Sequence, residues 1–309
     1  MLKSLIRRIL NVLVPPLVWL FAPLFYYAAR TGVGMTLCRK WGFEPMRVHY
    51  YQPLPEYEHL SDTFFNTPQD LPGITIDRHH IQATLTRLSV YASECQWQEY
   101  ATHEGEYYAQ NSAFGYSSAA LLHTMIRAHK TRRVVEIGSG FSTLISLAAL
   151  RMNGDFTLTC IEPYPKTWLR QLPIDLRITK AEAVDLSVYT LLDAGDVLFI
   201  DSSHVAKLNS DVNFLVMRVL PRLKSGVIVH IHDIYIPYEY PRVHFTNKPS
   251  YYWNEQYVLQ AFLSGNPHFE ILMPGYYAQT EMQAAFKNAF AGYNPAVHRA
   301  TSSFWLRRK

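Results

Sequence analysis

The sequence predicts an α/β chain: a central, mostly parallel sheet, helices on its faces and a helical extension at the N-terminus. Three observations predict it. From residue 133 onward, short apolar runs rich in β-branched residues alternate with helical stretches, the pattern of right-handed crossovers between parallel neighbours. A glycine-rich turn, Gly138-Ser139-Gly140, joins the first run to its helix. Four of the runs carry an acid at or near their carboxyl ends, Glu136, Glu162, Asp201 and Asp233, which gathers carboxylates at the sheet edge where open α/β sheets bind ligands.

Each element follows from its residues. Residues 133–137 read as a buried strand and 141–150 as the helix behind it, with Glu136 costly to bury unless it meets a donor or a cation. The strand 157–161 ends in Glu162, with Pro163 and Pro165 behind it, and a short strand 176–178 leads to Lys180-Ala181-Glu182-Ala183. The strand 197–200 runs into Asp201-Ser202-Ser203-His204. A helix over 207–220 should follow, with Ser202 or Ser203 as its cap and His204 near its start. The strand 227–231 carries His232-Asp233 at its end, and Pro237 and Pro241 stiffen the loop beyond. Trp253-Asn254-Glu255-Gln256-Tyr257 opens a helix to residue 263. The last two strands, 269–273 and 302–307, are joined by a long loop rich in Gly, Tyr and Ala.

Two cofactor classes use such a glycine turn. A dinucleotide fingerprint wants a third glycine at position 143, where this chain has Thr143, and has no need of an acid inside the first strand. The acidic strand end followed by Gly-x-Gly resembles the first motif of class I S-adenosylmethionine-dependent methyltransferases, and the resemblance covers residues 118–309. It implies a Rossmann-like methyltransferase fold, α/β with a mostly parallel seven-stranded sheet whose last strand is antiparallel and inserted beside the sixth. It also implies S-adenosylmethionine held by Glu136, Gly138, Ser139, Gly140 and Ser142, with Glu182 near the adenine and Asp201 alongside. Glu162 stands about 20 residues beyond the turn, the offset of a ribose-binding acid. More narrowly, Ile200-Asp201-Ser202-Ser203-His204 with a later His232-Asp233 is similar to a bacterial branch related to metal-dependent catechol and sugar O-methyltransferases. That similarity implies a divalent ion, magnesium or manganese, on Asp201 and Asp233. Ile234 stands where the catechol enzymes carry Asn, so the third ligand is left open. His204 or His232 could supply it, and imidazole would shift the preference away from magnesium.

The chemistry gives these groups their use. Methyl transfer is an in-line displacement onto a nucleophile, and a sugar or alcohol hydroxyl must lose its proton to a base or have its pKa lowered by a cation. His204, Asp201, Asp233 and His232 are the catalytic candidates, and Trp253, Glu255, Tyr257 and Tyr51 the acceptor-binding ones, with Tyr50 and Tyr107 beside them. The reading is an O-methyltransferase acting on a small-molecule or glycan acceptor, including a lipid-linked sugar. Its alternatives are a metal-independent N-methyltransferase and a non-catalytic scaffold that keeps the cofactor fold.

Composition and the N-terminus complete the picture. A net charge of +4, scattered along the chain, argues against nucleic acid. Cys38, Cys95 and Cys160 have no paired spacing, which fits a reducing compartment and neither a disulfide framework nor a zinc cluster. Residues 9–29 are apolar, behind Lys3, Arg7 and Arg8, and long enough to span a bilayer. Pro15, Pro16 and Pro23 argue against a straight helix there and favour a monotopic or re-entrant segment on the cytoplasmic face of the inner membrane. The expected organisation is an arm over 1–31, an aromatic-rich extension over 32–117 and a catalytic domain over 118–309, with a homodimer left open.

Overall fold

The computed structural model describes residues 2–28, 30–46, 48–246 and 250–309, with the backbone alone for residues 2–9. The chain divides into two compact units, Met1–His59 and Leu60–Lys309.

In the first unit one helix runs over Leu2–Ala28 with Pro15, Pro16 and Pro23 inside it. The expected break at the prolines is therefore absent. A proline removes one backbone donor and crowds one carbonyl, at a cost of about 3 kcal/mol, but it leaves the turns on either side able to close. A second helix, Gly32–Lys40, starts at Thr31, whose hydroxyl accepts from the Gly34 amide at 3.0 Å.

In the second unit the strands are β1 (Arg133–Ile137), β2 (Thr157–Ile161), β3 (Asp175–Arg177), β4 (Val197–Ile200), β5 (Ile228–Ile231), β6 (Phe269–Pro274) and β7 (Phe304–Arg308). Among the described residues they form one sheet in the order β3-β2-β1-β4-β5-β7-β6. The first five are parallel, and β7 enters antiparallel between β5 and β6. Ile137 pairs with Ile161 and Ile200, and Ile200 with Ile231, so the turn at Gly138 and the acids Glu162, Asp201 and Asp233 emerge at one edge.

Alternate strand residues face opposite layers. Val134, Leu158, Phe199 and Trp305 pack with the helices Arg78–Ser89, Tyr116–Ala128 and Phe141–Asn153. Val135, Leu198, Val229 and Leu306 pack with Val212, Leu215 and the helix Glu255–Leu263. Two expectations fail in the connections. Residues 201–207 form an irregular loop, and the helix begins at Asp211, because Ser203 is spent on Asp211 (Oγ to Oδ1, 2.6 Å) and Ser210 caps the helix instead. The stretch between β6 and β7 holds two helices, Gly275–Glu281 and Gln283–Ala289, and Phe286 of the second is fully buried in the core.

Candidate active site

Glu136 lies inside β1 with no exposed surface, and two hydroxyls satisfy one of its oxygens: Ser142 donates to Oε1 at 2.7 Å and Thr143 at 2.8 Å. Its Oε2 has no partner among the described residues, and burial pushes its pKa up to about 8. The acid thus fastens the start of the helix Phe141–Asn153. Ser142, expected at the cofactor, spends its hydroxyl there, and so does Thr143, which also accepts from the Gly140 amide at 3.0 Å.

A cavity of about 410 Å³ opens beside the turn. Gly138, Glu162, Glu182 and Asp201 line it, together with Ser202 and with Tyr164, Lys207 and Asp211, which the sequence did not mark as site residues. Glu162 is fixed by backbone donors, Ser139 N–H to Oε2 at 3.2 Å and Tyr164 N–H to Oε1 at 2.7 Å. Each of its oxygens keeps lone-pair capacity for the hydroxyls of a ribose. Glu136, Ser139, Gly140 and Ser142 are not part of this lining.

His204 stands next to the cavity on a left-handed backbone (φ 59), and Asp233 has φ 57. Non-glycine residues held there cost of order 1–3 kcal/mol each, and two of them meet at one place. The N-terminus of the helix Glu255–Leu263 holds the loop in that shape: the amides of Asn254 and Glu255 donate to the His204 carbonyl at 3.0 and 3.2 Å. His204 Nδ1 contacts Glu255 Oε2 at 2.8 Å, and Nε2 faces Asp201 Oδ1 at 3.2 Å and Asp233 Oδ2 at 3.6 Å. His232 Nδ1 lies 3.7 Å from Asp201 and 3.5 Å from Asp233. Ser302 donates to Asp233 Oδ1 at 2.7 Å.

Charge is distributed accordingly. Burial disfavours the Asp201 carboxylate, but His232 and His204 outweigh it and hold the acid well below the usual range. Burial likewise disfavours charge on His204, and its contacts with Asp201 and Glu255 outweigh that and raise it well above an ordinary histidine. His232 is raised against its burial by Asp233 and Asp201. Glu255 is raised by burial, which its bond to His204 only partly offsets.

A second cavity, of about 300 Å³, adjoins Asp233 and is lined by Ser118, His232, Tyr235, His244 and Arg299 among others. Asp201 borders the first cavity and Asp233 the second, and His204 Nε2 touches both acids. The cluster is thus the boundary between two chambers.

The expected acceptor residues fare differently. Trp253 packs its ring on His204, centroids 4.4 Å apart. Glu255 is 1% exposed, and its carboxylate serves His204 and Ser202 instead of an acceptor. Tyr257 is exposed and donates to Glu239 at 2.7 Å. Tyr107 is buried and donates to the Phe114 carbonyl at 2.9 Å, which makes it core. Tyr51 is exposed and belongs to the unit Met1–His59. The residues of the second cavity, Tyr235, His244 and Arg299, carried no motif in the sequence; only the fold gathers them.

Residues 135–234 match the profile of a family described as a methyltransferase domain. An uncharacterised protein of Archaeoglobus fulgidus is 28% identical over 159 residues, 47% of this chain and 72% of the relative. Solved structures with a similar course include the O-methyltransferase TomG of Streptomyces achromogenes in complex with S-adenosylmethionine, 15% identical, TM-score 0.36, over 76% of this chain and 91% of that one. An O-methyltransferase of Bacillus cereus in complex with S-adenosylhomocysteine is 12% identical, TM-score 0.37, over 76% and 93%. Likenesses this distant add nothing to the family match and the sheet order. Residues 135–234 span β1 to the end of β5 and the acids at their edge, in a parallel sheet that an antiparallel β7 closes between β5 and β6: this part of the chain carries a methyltransferase domain.

Proposed function

We propose that this methyltransferase is an O-methyltransferase: it moves the methyl group onto a hydroxyl of an acceptor in the cavity beside Asp233, and His204 takes the hydroxyl proton. One observation carries the reading: His204 Nε2 faces both Asp201 and Asp233, the acids that border the two chambers, while Glu255 fixes its other nitrogen. A carboxylate on Nδ1 sets the tautomer and orientation of an imidazole whose Nε2 exchanges protons.

The raised proton affinity of His204 belongs to the free site, where imidazolium balances the carboxylates. An imidazolium is no base, so another cation must meet the acids before His204 can accept a proton. The methyl donor supplies an electrophilic methyl on a positively charged sulfur, and Asp201 lines the cavity that would receive it. A divalent cation also fits the side chains present, since one ligand atom each from Asp201, His204 and Asp233 lies within 4.8 Å of the others. Held by the Asp201 and Asp233 carboxylates, magnesium or manganese would lower the pKa of the acceptor hydroxyl and leave His204 Nε2 free to take its proton.

The test is methyl transfer from labelled donor by the purified protein to cell-envelope and soluble extracts, with and without a chelator. Labelled product with base-stable ether linkages is expected, together with loss of activity on chelation and recovery with magnesium or manganese. Undiminished transfer after chelation would assign the cluster to histidine alone. Transfer to nitrogen would overturn the O-methyl reading.

We place the enzyme at the cytoplasmic face of a membrane, with a glycan or lipid-linked sugar as its acceptor. The support is residues Leu10–Ala28, a helical window of mean hydropathy 1.5 whose side chains are exposed, Trp19 at 81%. The full-length chain is expected to sediment with membranes, whereas a chain beginning at Gly32 stays in the supernatant and still binds the donor. Full-length protein recovered only in the soluble fraction at low salt would remove the membrane assignment.

A further inference from the structure

The cavity beside Asp233 presents a cation that the fold does not neutralise. Arg299 lines the cavity and forms no ion pair among the described residues. Its guanidinium donates to the Asn111 carbonyl at 2.8 Å, and its own carbonyl accepts from Ser117 Oγ at 3.0 Å. The Asn111 side chain is itself buried and locked, accepting from the Phe114 amide at 2.6 Å and donating to the Phe114 carbonyl at 2.7 Å. Backbone and head group are thus anchored, and most of the five guanidinium donors remain for a ligand. His244, on the same cavity, has a buried Nδ1 with no partner among the described residues.

We propose that the acceptor carries an anionic oxygen group, a carboxylate or a phosphate, which Arg299 binds in this cavity with His244 beside it. The inference rests on the O-methyltransferase reading and names its substrate class. Charge also sets the direction in which the acceptor lies. Asp233 and Arg299 both line the cavity, so an acceptor with one negative group settles that group on Arg299, away from the Asp233 carboxylate, and turns a hydroxyl toward His204. A planar guanidinium suits either anion through paired hydrogen bonds.

The test measures binding of three probes, D-glucuronate, D-glucose 6-phosphate and D-glucose, by saturation-transfer NMR on the full-length protein with the demethylated donor product present. At least one anionic probe is expected to bind about tenfold or more tighter than glucose, the range of a hydrogen-bonded charge pair. Arg299→Gln should erase that difference and leave the melting temperature unchanged, and Arg299→Lys should keep part of it. Comparison of the two anions tells carboxylate from phosphate. If neither anion outcompetes glucose, or if Arg299→Gln keeps the preference, the inference falls. Because binding is read without turnover, anion selectivity in a protein that methylates nothing would sink the O-methyltransferase reading and leave the anion site standing.

Discussion

Replacing His204 is expected to lower methyl transfer by about 10²- to 10⁴-fold, the usual worth of a positioned base, while donor affinity changes little. The choice of variant matters, because His204 sits at φ 59. Asparagine tolerates that backbone better than alanine, so His204→Asn removes the imidazole with the least strain, and His204→Ala serves as its control. Glu255 acts through His204, so Glu255→Gln should reduce turnover less and shift the pH at which activity rises. Single-turnover rates and calorimetric donor binding, measured on the same samples, separate the possibilities. Equal loss of both in His204→Asn would mean that the ring holds the loop together and does no chemistry.

A change at Gly138 should be nearly as damaging, for a different reason. Gly138 has φ +77, and a Cβ built on it would lie 1.8 Å from the Asp201 carbonyl oxygen, a backbone atom that cannot step aside. Gly138→Ala must therefore push the ends of β1 and β4 apart and displace Asp201, with an expected loss of about 3 kcal/mol or more of stability and no measurable donor binding. Gly140 is the contrast: a Cβ there meets nothing within 4 Å. Gly140→Val should melt like the parent and fail only if the donor passes that spot. Denaturant midpoints together with donor calorimetry read both variants. A Gly138→Ala protein with unchanged midpoint would contradict the close packing of these two strand ends.

What was legible in the chain follows from how locally each feature is encoded. Residues 134–137, 158–161 and 197–200 are buried, so a continuous apolar run bounded by Gly, Pro or acid marks each strand directly, and β1, β2 and β4 have the expected bounds. The edge strand β3 is half exposed, and its expected span, 176–178, lies one residue beyond Asp175–Arg177. Asp201, His204 and Asp233 were legible because strand ends in a parallel sheet converge. The duty of Glu255 was not, since its aromatic neighbours suggested a surface while a helix start buries it against His204. Ser142 was read as a cofactor contact because nothing in a Gly-x-Gly turn tells that its hydroxyl will be needed by Glu136. Arg299 and His244 lie in stretches without periodicity, far apart in sequence, and no local rule brings them together.

The placement of β7 has a consequence for how the enzyme comes into being. The strand pairs with β5 through Ile231 and Phe304, and Ser302 just before it grips Asp233. During synthesis the five parallel strands can assemble while the segment that separates β5 from β6 has yet to appear, so a partly made chain carries an open seam beside Asp233. The cavity beside Gly138 borders β1, β2 and β4, which are encoded early. Asp233 acquires its hydrogen bond from Ser302 only with residues 302–308. Phe304, Trp305 and Leu306 are also fully buried in the two core layers, so a chain shortened by this strand loses core packing together with the hydrogen bond to Asp233.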